Sequence, residues 1–244
     1  MSIEKPVIVG IDGLHRAGKG TQAKMLQATI SHGGGKGVIV RCDGTREGLG
    51  LSDGDPYSEE WQSRGRLVKS PQGNTVEQWN AASYLLMSEL DGRVSDKKNP
   101  YDAFIVDRTV ISRAAFLLHR GIALEGERLT LADMYPDNDQ TSHAAIDLPG
   151  LVPEVIFELT APSPHVLLDR LDAEDTKYTF RARNIRGGFS AASIARGHLP
   201  EDIERRVITI NAAQDRDIIH QVICSHLAET ALAPFVMDPV LSVG

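Results

Sequence analysis

Cysteine is scarce in this chain: Cys42 and Cys224 are the only two in 244 residues. Two thiols cannot build a disulfide framework, so a reducing, cytoplasmic setting is expected. Long apolar runs are missing too. No segment approaches the ~20 apolar residues that a membrane-spanning helix needs. The opening MSIEKPVIVG lacks a charged region followed by a long apolar stretch. A soluble protein with no membrane partner is therefore expected. Positive charge is in deficit, with 26 Lys and Arg against 33 Asp and Glu and a formal net charge of −7. That balance argues against a surface that coats nucleic acid and leaves room only for a local basic site. The histidines show no metal-ligand spacing, so zinc is not expected. There is no internal repeat, and no Asn-Lys-x-Asp of the kind that reads guanine in GTP switches.

What is present is a core-forming chain, 41% hydrophobic, sized for one domain over 1–244 rather than two independent ones. Short, β-branched apolar runs predict strands at Pro6–Asp12, Val38–Cys42, Ala103–Asp107, Glu154–Leu159 and Arg206–Asn211. Helices are predicted between them: Lys19–Ser31 (with Met25, Leu26, Thr29 and Ile30 on one face), Thr75–Val94, Ile111–Leu118, one from about Ser163, and Asp217–Leu227. The cluster HGGGKG, His32 to Gly37, ends the first helix before the second strand. Strands apolar throughout and alternating with helices indicate a parallel sheet covered on both faces. Ligands in such sheets bind at the carboxyl ends of the strands.

The first strand is followed there by "GLHRAGK", Gly13 to Lys19, the phosphate-loop pattern of glycine, four residues, glycine and lysine. Glycines let successive backbone N–H groups curl round a phosphate, and the following helix adds its positive dipole end. Lys19 is placed to reach the outer phosphates. The hydroxyl residue that usually follows the lysine is displaced by one, with Gly20 next and Thr21 after it. A strand before and a helix after supply the context the pattern requires.

The third strand ends in Asp107 and Arg108. An aspartate there holds magnesium through water, or it caps the next helix; both roles fit the position. Arg46 follows the second strand, and Arg16 lies inside the loop. Arg181, Arg183, Arg186 and Arg196 crowd a stretch of small residues with weak periodicity that suits a closing lid. Arginine forks match phosphate oxygens, and as a set these residues suggest two phosphate sites facing each other.

At this point the chain resembles the thymidylate kinase branch of the nucleoside monophosphate kinases, over roughly its first 230 residues. "DGLHRAGKGTQ" looks like that family's phosphate loop, "GTREG" resembles its Thr-Arg-Glu-Pro turn, and "FIVDRTVISRAAF" is similar to its Asp-Arg-Tyr segment. "YLLMSELDGR", "VPEVIFELTAPSPHVLLDRL" and "RVITINAAQDRDIIHQVI" resemble its apolar helix, its fourth strand, and its last strand and helix. The resemblance implies a P-loop NTPase fold, a three-layer α/β/α with a five-stranded parallel sheet, and a small arginine-rich lid at about 173–205. A tail at about 234–244 packs back on the body. The implied reaction is transfer of the γ-phosphoryl of ATP to a nucleoside 5′-monophosphate with Mg2+, often in a homodimer. By the same resemblance Gly13, Ala17, Gly18, Lys19, Gly20 and Thr21 hold ATP, Ala212 and Ala213 lie near its adenine, and Thr21 and Asp107 hold the metal. Arg46, Arg108 and Ser112 attend the acceptor, and Arg16, Arg181 and Arg183 assist the phosphoryl in transit.

Departures cluster around the acceptor nucleoside. His15 stands where the family usually places an aspartate contacting the sugar, Met87 where a phenylalanine stacks on thymine, and Thr109 in place of the tyrosine of Asp-Arg-Tyr. Glu89 and Asp91 lie near the place of a thymine-reading arginine. A carboxylate accepts where arginine only donates, which favours an amino-bearing base if either faces it. Two other readings stay open. A deoxynucleoside kinase needs a general base near a 5′-OH, and Asp43 or Glu47 follows the second strand. A non-catalytic nucleotide-binding regulator needs only the loop.

Overall fold

The computed structural model describes residues 5–41, 101–109, 111–112, 153–171, 178–197, 199 and 201–237. The predicted helix Thr75–Val94, most of Ile111–Leu118, and Arg46, Met87, Glu89 and Asp91 lie outside them. Among the described residues the order is β1 (Val7–Gly13), α1 (Lys19–His32), β2 (Gly37–Arg41), β3 (Ala103–Asp107), β4 (Val155–Thr160) and α2 (Pro164–Leu168). There follow α3 (Tyr178–Gly197), α4 (Glu201–Glu204), β5 (Val207–Asn211), α5 (Arg216–Leu227) and α6 (Ala233–Val236). Each predicted strand forms within a residue of its expected ends, because a run of Val, Ile and Phe fits a pleated, two-sided burial.

The five strands make one sheet in the order β2-β3-β1-β4-β5, and every adjacent pair is parallel. One face carries Val7, Val9, Ile11, Ile105, Phe157 and Leu159 into a core with Leu26 and Ile30 of α1, Ile219 and Ile223 of α5, and Phe235 of α6. The alternate positions Ile8, Phe104, Val106 and Ile156 are buried as well, so the sheet is covered on both sides. On α1 the buried stripe is Lys19, Gln22, Ala23, Leu26, Thr29 and Ile30. Met25, expected on that stripe, is only half-buried, because the helix turns Ala23 and Gln22 inward instead.

The order of strands places the site. The chain leaves β1 toward β2 on one side and leaves β3 toward β4 on the other. Connections that diverge from neighbouring strands open a crevice at their carboxyl ends. Here that crevice lies between β1 and β3, at the two segments singled out in the sequence. No helix among the described residues is long and apolar enough to cross a membrane.

Candidate functional site

The loop after β1 turns on three residues with positive φ, Gly13 (130°), Arg16 (64°) and Gly18 (99°). A Cβ on Gly13 would run into the carbonyl oxygen of Leu159 on β4, so the loop is pressed against the neighbouring strand there. Arg16 has no such glycine latitude, and its carbonyl is held by a 3.2 Å hydrogen bond donated by Arg170. The α1 helix then opens at Lys19 with Gly18 as N-cap, without a side-chain cap and with no acidic residue in its first turn. Its positive end is therefore left for an external anion.

A cleft of about 370 Å³ forms over this loop. His15, Arg16, Gly18, Lys19, Gly20 and Thr21 line it from the loop and α1. Asp107 and Arg108 line it from the end of β3, and Lys24 joins from the next turn of α1. Two stretches almost ninety residues apart in sequence thus share one cavity. Lys24 was not singled out in the sequence; five residues beyond Lys19, it is not on the same helix face, and only the structure brings it to the cleft.

Cations dominate the cleft. Burial and then the Arg108 guanidinium press Lys19 down to about 8, against the pull of Asp107 and Asp12. Its Nζ donates to the Leu14 carbonyl at 2.7 Å. Burial, with Arg108, Lys19, Arg181 and Arg16 nearby, presses His15 down to about 4, so its imidazole is neutral at pH 7. Burial and neighbouring positive charge thus both weigh against the charged forms of Lys19 and His15.

For a metal, the donor set is a hydroxyl and a carboxylate. A Cβ placed on Gly20 would stand 3.8 Å from Asp107 Oδ2, so this carboxylate sits over the loop–helix junction where Thr21 also lies. Hard oxygen donors few in number suit Mg2+, which keeps water and phosphate oxygens as its remaining ligands. The residues fit the ion. No cluster of three or more His, Cys, Asp or Glu with metal-site geometry occurs among the described residues.

Other expected residues take more specific places. Ala17 and Ala212 are fully buried. The Ala212 N–H donates to Thr160 at 2.6 Å, and its carbonyl accepts from Arg170 at 2.6 Å. Arg170 therefore ties the phosphate loop to the junction of β5 and α5, a role that its place in LLDRL did not disclose. Arg181 is half-buried and close enough to act on His15, whereas Arg186 is exposed. Arg183 is part of α3; its side chain lies outside the described residues. The stretch read as weakly periodic is a 20-residue helix. A Cβ on its Gly188 would lie 3.1 Å from Leu14, so α3 runs against the phosphate loop.

Two further side chains have specific partners. Arg196, grouped with the phosphate-seeking arginines, instead pairs with Glu158 at 3.3 Å and Glu204 at 3.9 Å. Ser112, expected at the acceptor, donates its hydroxyl to Asp12 Oδ1 at 2.5 Å. Asp12 itself drew no attention in the sequence, being one acid at the end of an apolar strand.

No protein-family model matches this sequence, and no curated protein sequence matches it. Solved structures do match. One is a thymidylate kinase from Candida albicans, with a TM-score of 0.56 and 14% sequence identity, covering 91% of this chain and 91% of that one. At that identity the likeness speaks to the fold alone: the chain shares with that structure an all-parallel five-stranded sheet with flanking helices.

Proposed function

We propose that this protein transfers the γ-phosphoryl group of ATP to a nucleoside or deoxynucleoside 5′-monophosphate. The observation that carries the reading is the shared cleft, in which Lys19 and Arg16 of the loop meet Asp107 and Arg108 of β3. A glycine loop alone would bind a phosphate. A second arginine-bearing segment in the same cavity gives a place for another.

In this reading Gly13, Ala17, Gly18, Lys19, Gly20 and Thr21 hold the donor phosphates and Ala212 borders the adenine. Thr21 and Asp107 hold Mg2+, which when bound neutralises charge on the donor phosphates. Arg108, Arg46 and His15 hold the acceptor phosphate and sugar, and Met87 and Glu89 border the base, whose pocket differs from a thymine pocket. An acceptor phosphate oxygen attacks the γ-phosphorus and ADP leaves. That oxygen is already anionic, so no general base is required. Arg16, with Arg181 and Arg183 of α3, offsets charge on the group in transit, α3 serving as the lid. Positioning and charge neutralisation supply the rate. A homodimer acting in the cytoplasm completes the proposal.

The test is an ADP-release assay with ATP and Mg2+ across the eight common ribo- and deoxynucleoside monophosphates, with the free nucleosides alongside. Turnover of one or a few monophosphates is expected, with an amino-bearing base favoured over thymine. Turnover of nucleosides alone would move the assignment to a nucleoside kinase. ATP binding without turnover of any acceptor would leave a nucleotide-binding protein and overturn the kinase reading.

A further inference from the structure

A dense set of polar contacts beside the cleft belongs to a residue that does not line it. Asp12, on the last turn of β1 before the loop, is 1% exposed. Its Oδ1 accepts from the Gly13 N–H at 2.6 Å and from the Ser112 hydroxyl at 2.5 Å. Its Oδ2 accepts from the Thr109 N–H at 2.6 Å, the Thr109 hydroxyl at 2.5 Å and the Ser112 N–H at 3.2 Å. Five donors thus converge on one buried carboxylate. One of them opens the phosphate loop, and four belong to the segment directly after Arg108.

That segment needs holding. Arg108 has φ of 80°, a left-handed conformation that costs a non-glycine residue about 1–2 kcal/mol. Its N–H donates to the Ile11 carbonyl at 3.0 Å, and the very next N–H, that of Thr109, goes to Asp12. The chain even clears room for the contact. A Cβ on Gly10 would lie 2.6 Å from Thr109 Cγ2, so only glycine at that point of β1 lets Thr109 settle over the strand.

We propose that Asp12 is a positioning residue of the phosphate cleft: it clamps the turn after β3 to the start of the phosphate loop and thereby fixes Arg108 and Asp107 relative to Lys19. The proposal rests on the kinase reading of the cleft. Asp12 touches no substrate in it and acts through Thr109 and Ser112. Displacement of a binding group by about 1 Å costs on the order of a hundredfold in rate, so a clamp of this kind shows in kinetics and not only in stability. An asparagine cannot replace it. Whichever oxygen becomes the amide nitrogen then faces N–H donors, since the Oδ2 side meets two backbone N–H groups and the Oδ1 side meets one.

The experiment uses the full chain and the monophosphate that the wild type turns over best. Asp12→Asn, Thr109→Val, Thr109→Ser and the double variant Asp12→Asn/Thr109→Val are compared for kcat, for KM toward ATP and acceptor separately, and for melting temperature. Asp12→Asn is expected to lower kcat/KM for the acceptor about a hundredfold while KM for ATP moves less than about threefold. Thr109→Val, which keeps shape and loses the hydroxyl, moves the same parameters about tenfold. Thr109→Ser restores them, and the double variant is no worse than Asp12→Asn alone. Loss of melting temperature with kcat and both KM values unchanged would overturn the proposal, as would independent, multiplicative losses in the double variant. If Asp12→Asn does not fold, the Thr109→Val and Thr109→Ser pair decides on the same criterion. A wild type that turns over no acceptor sinks the kinase reading separately. In that event calorimetric binding of inorganic phosphate to the protein already saturated with tripolyphosphate judges the clamp: at least tenfold weaker binding by Thr109→Val supports it, and equal binding to wild type overturns it.

Discussion

At the scale of single residues, the site is held in tension by its own charges. Lys19 is 6% exposed and sits among cations, so the folded protein gains little from its ammonium until an anion arrives. Lys19→Met is therefore expected to melt no lower than wild type in the absence of nucleotide, while kcat falls by on the order of a hundredfold or more, as for removal of a principal charge-stabilising donor. Thermal melts and steady-state assays on one preparation check both halves. His15 gives a pH signature. Its ordinary value is 6.5 and the fold presses it to about 4. Between those values the unfolded chain takes up a proton that the folded chain refuses, so stability is lost as pH falls through that window. Denaturant midpoints at several pH values are expected to show this slope in wild type and a shallower one in His15→Asn.

At the scale of elements, two contacts explain how helices find their seats. The C-terminal end of α3 is pinned by Arg196 to Glu158, which sits beside Asp12 in register across β1 and β4. Burial and the charge of Asp12 raise the Glu158 carboxyl above its ordinary value despite that arginine. Removing Arg196 leaves the buried Glu158 beside Asp12 without its ion pair. Arg196→Ala is expected to cost about 2 kcal/mol, less than a fully buried pair because the guanidinium is partly solvated, and Glu158→Gln to cost less. Urea titrations compare them. The other contact lies at the end of α1. A Cβ on Gly33 would fall 2.5 Å from the Phe235 carbonyl oxygen, while Gly34, at φ of 84°, has open space around it. The cluster read as a helix stop is also the seat of α6. Gly33→Ala is expected to destabilise by about 2 kcal/mol through overpacking. Gly34→Asn is expected to cost a few tenths, since asparagine accepts the left-handed conformation.

At the scale of the whole molecule, the sheet order matters more than any one side chain. β1 sits at the centre, flanked by β3 and β4, so its loop is braced on both sides: Asp12 holds the turn after β3, and Gly13 abuts β4. Arg170 adds a third brace toward β5. A ligand filling this cleft couples to most of the core. ADP with Mg2+ at a hundred times its Kd is expected to add about 2.7 kcal/mol to the stability of the wild type and to raise its melting temperature by about 5–10 °C. The Lys19→Met variant is expected to show a much smaller rise. Differential scanning fluorimetry over a ligand series reads both.

What the sequence determined by itself is local. Runs of Val, Ile and Phe specify buried strands wherever they occur, and "GLHRAGK" between a strand and a helix specifies a phosphate loop, because in each case the deciding interactions lie within a few residues. Lys19 and Arg16 take their places in the loop on that ground, and Asp107 and Arg108 theirs at the end of a strand. The tertiary structure decided what depends on contacts between distant stretches. Asp12 and Thr109 meet across 97 residues, Arg16 and Arg170 across 154. No periodicity or spacing encodes such pairs, because a single acid at a strand end and a single arginine just after a helix look like any other until the sheet order brings a partner beside them. The same reason gives Ser112 its bond to Asp12 and Arg196 its pair with Glu158. A side chain's chemistry is written in the sequence, whereas its partner is chosen by the fold.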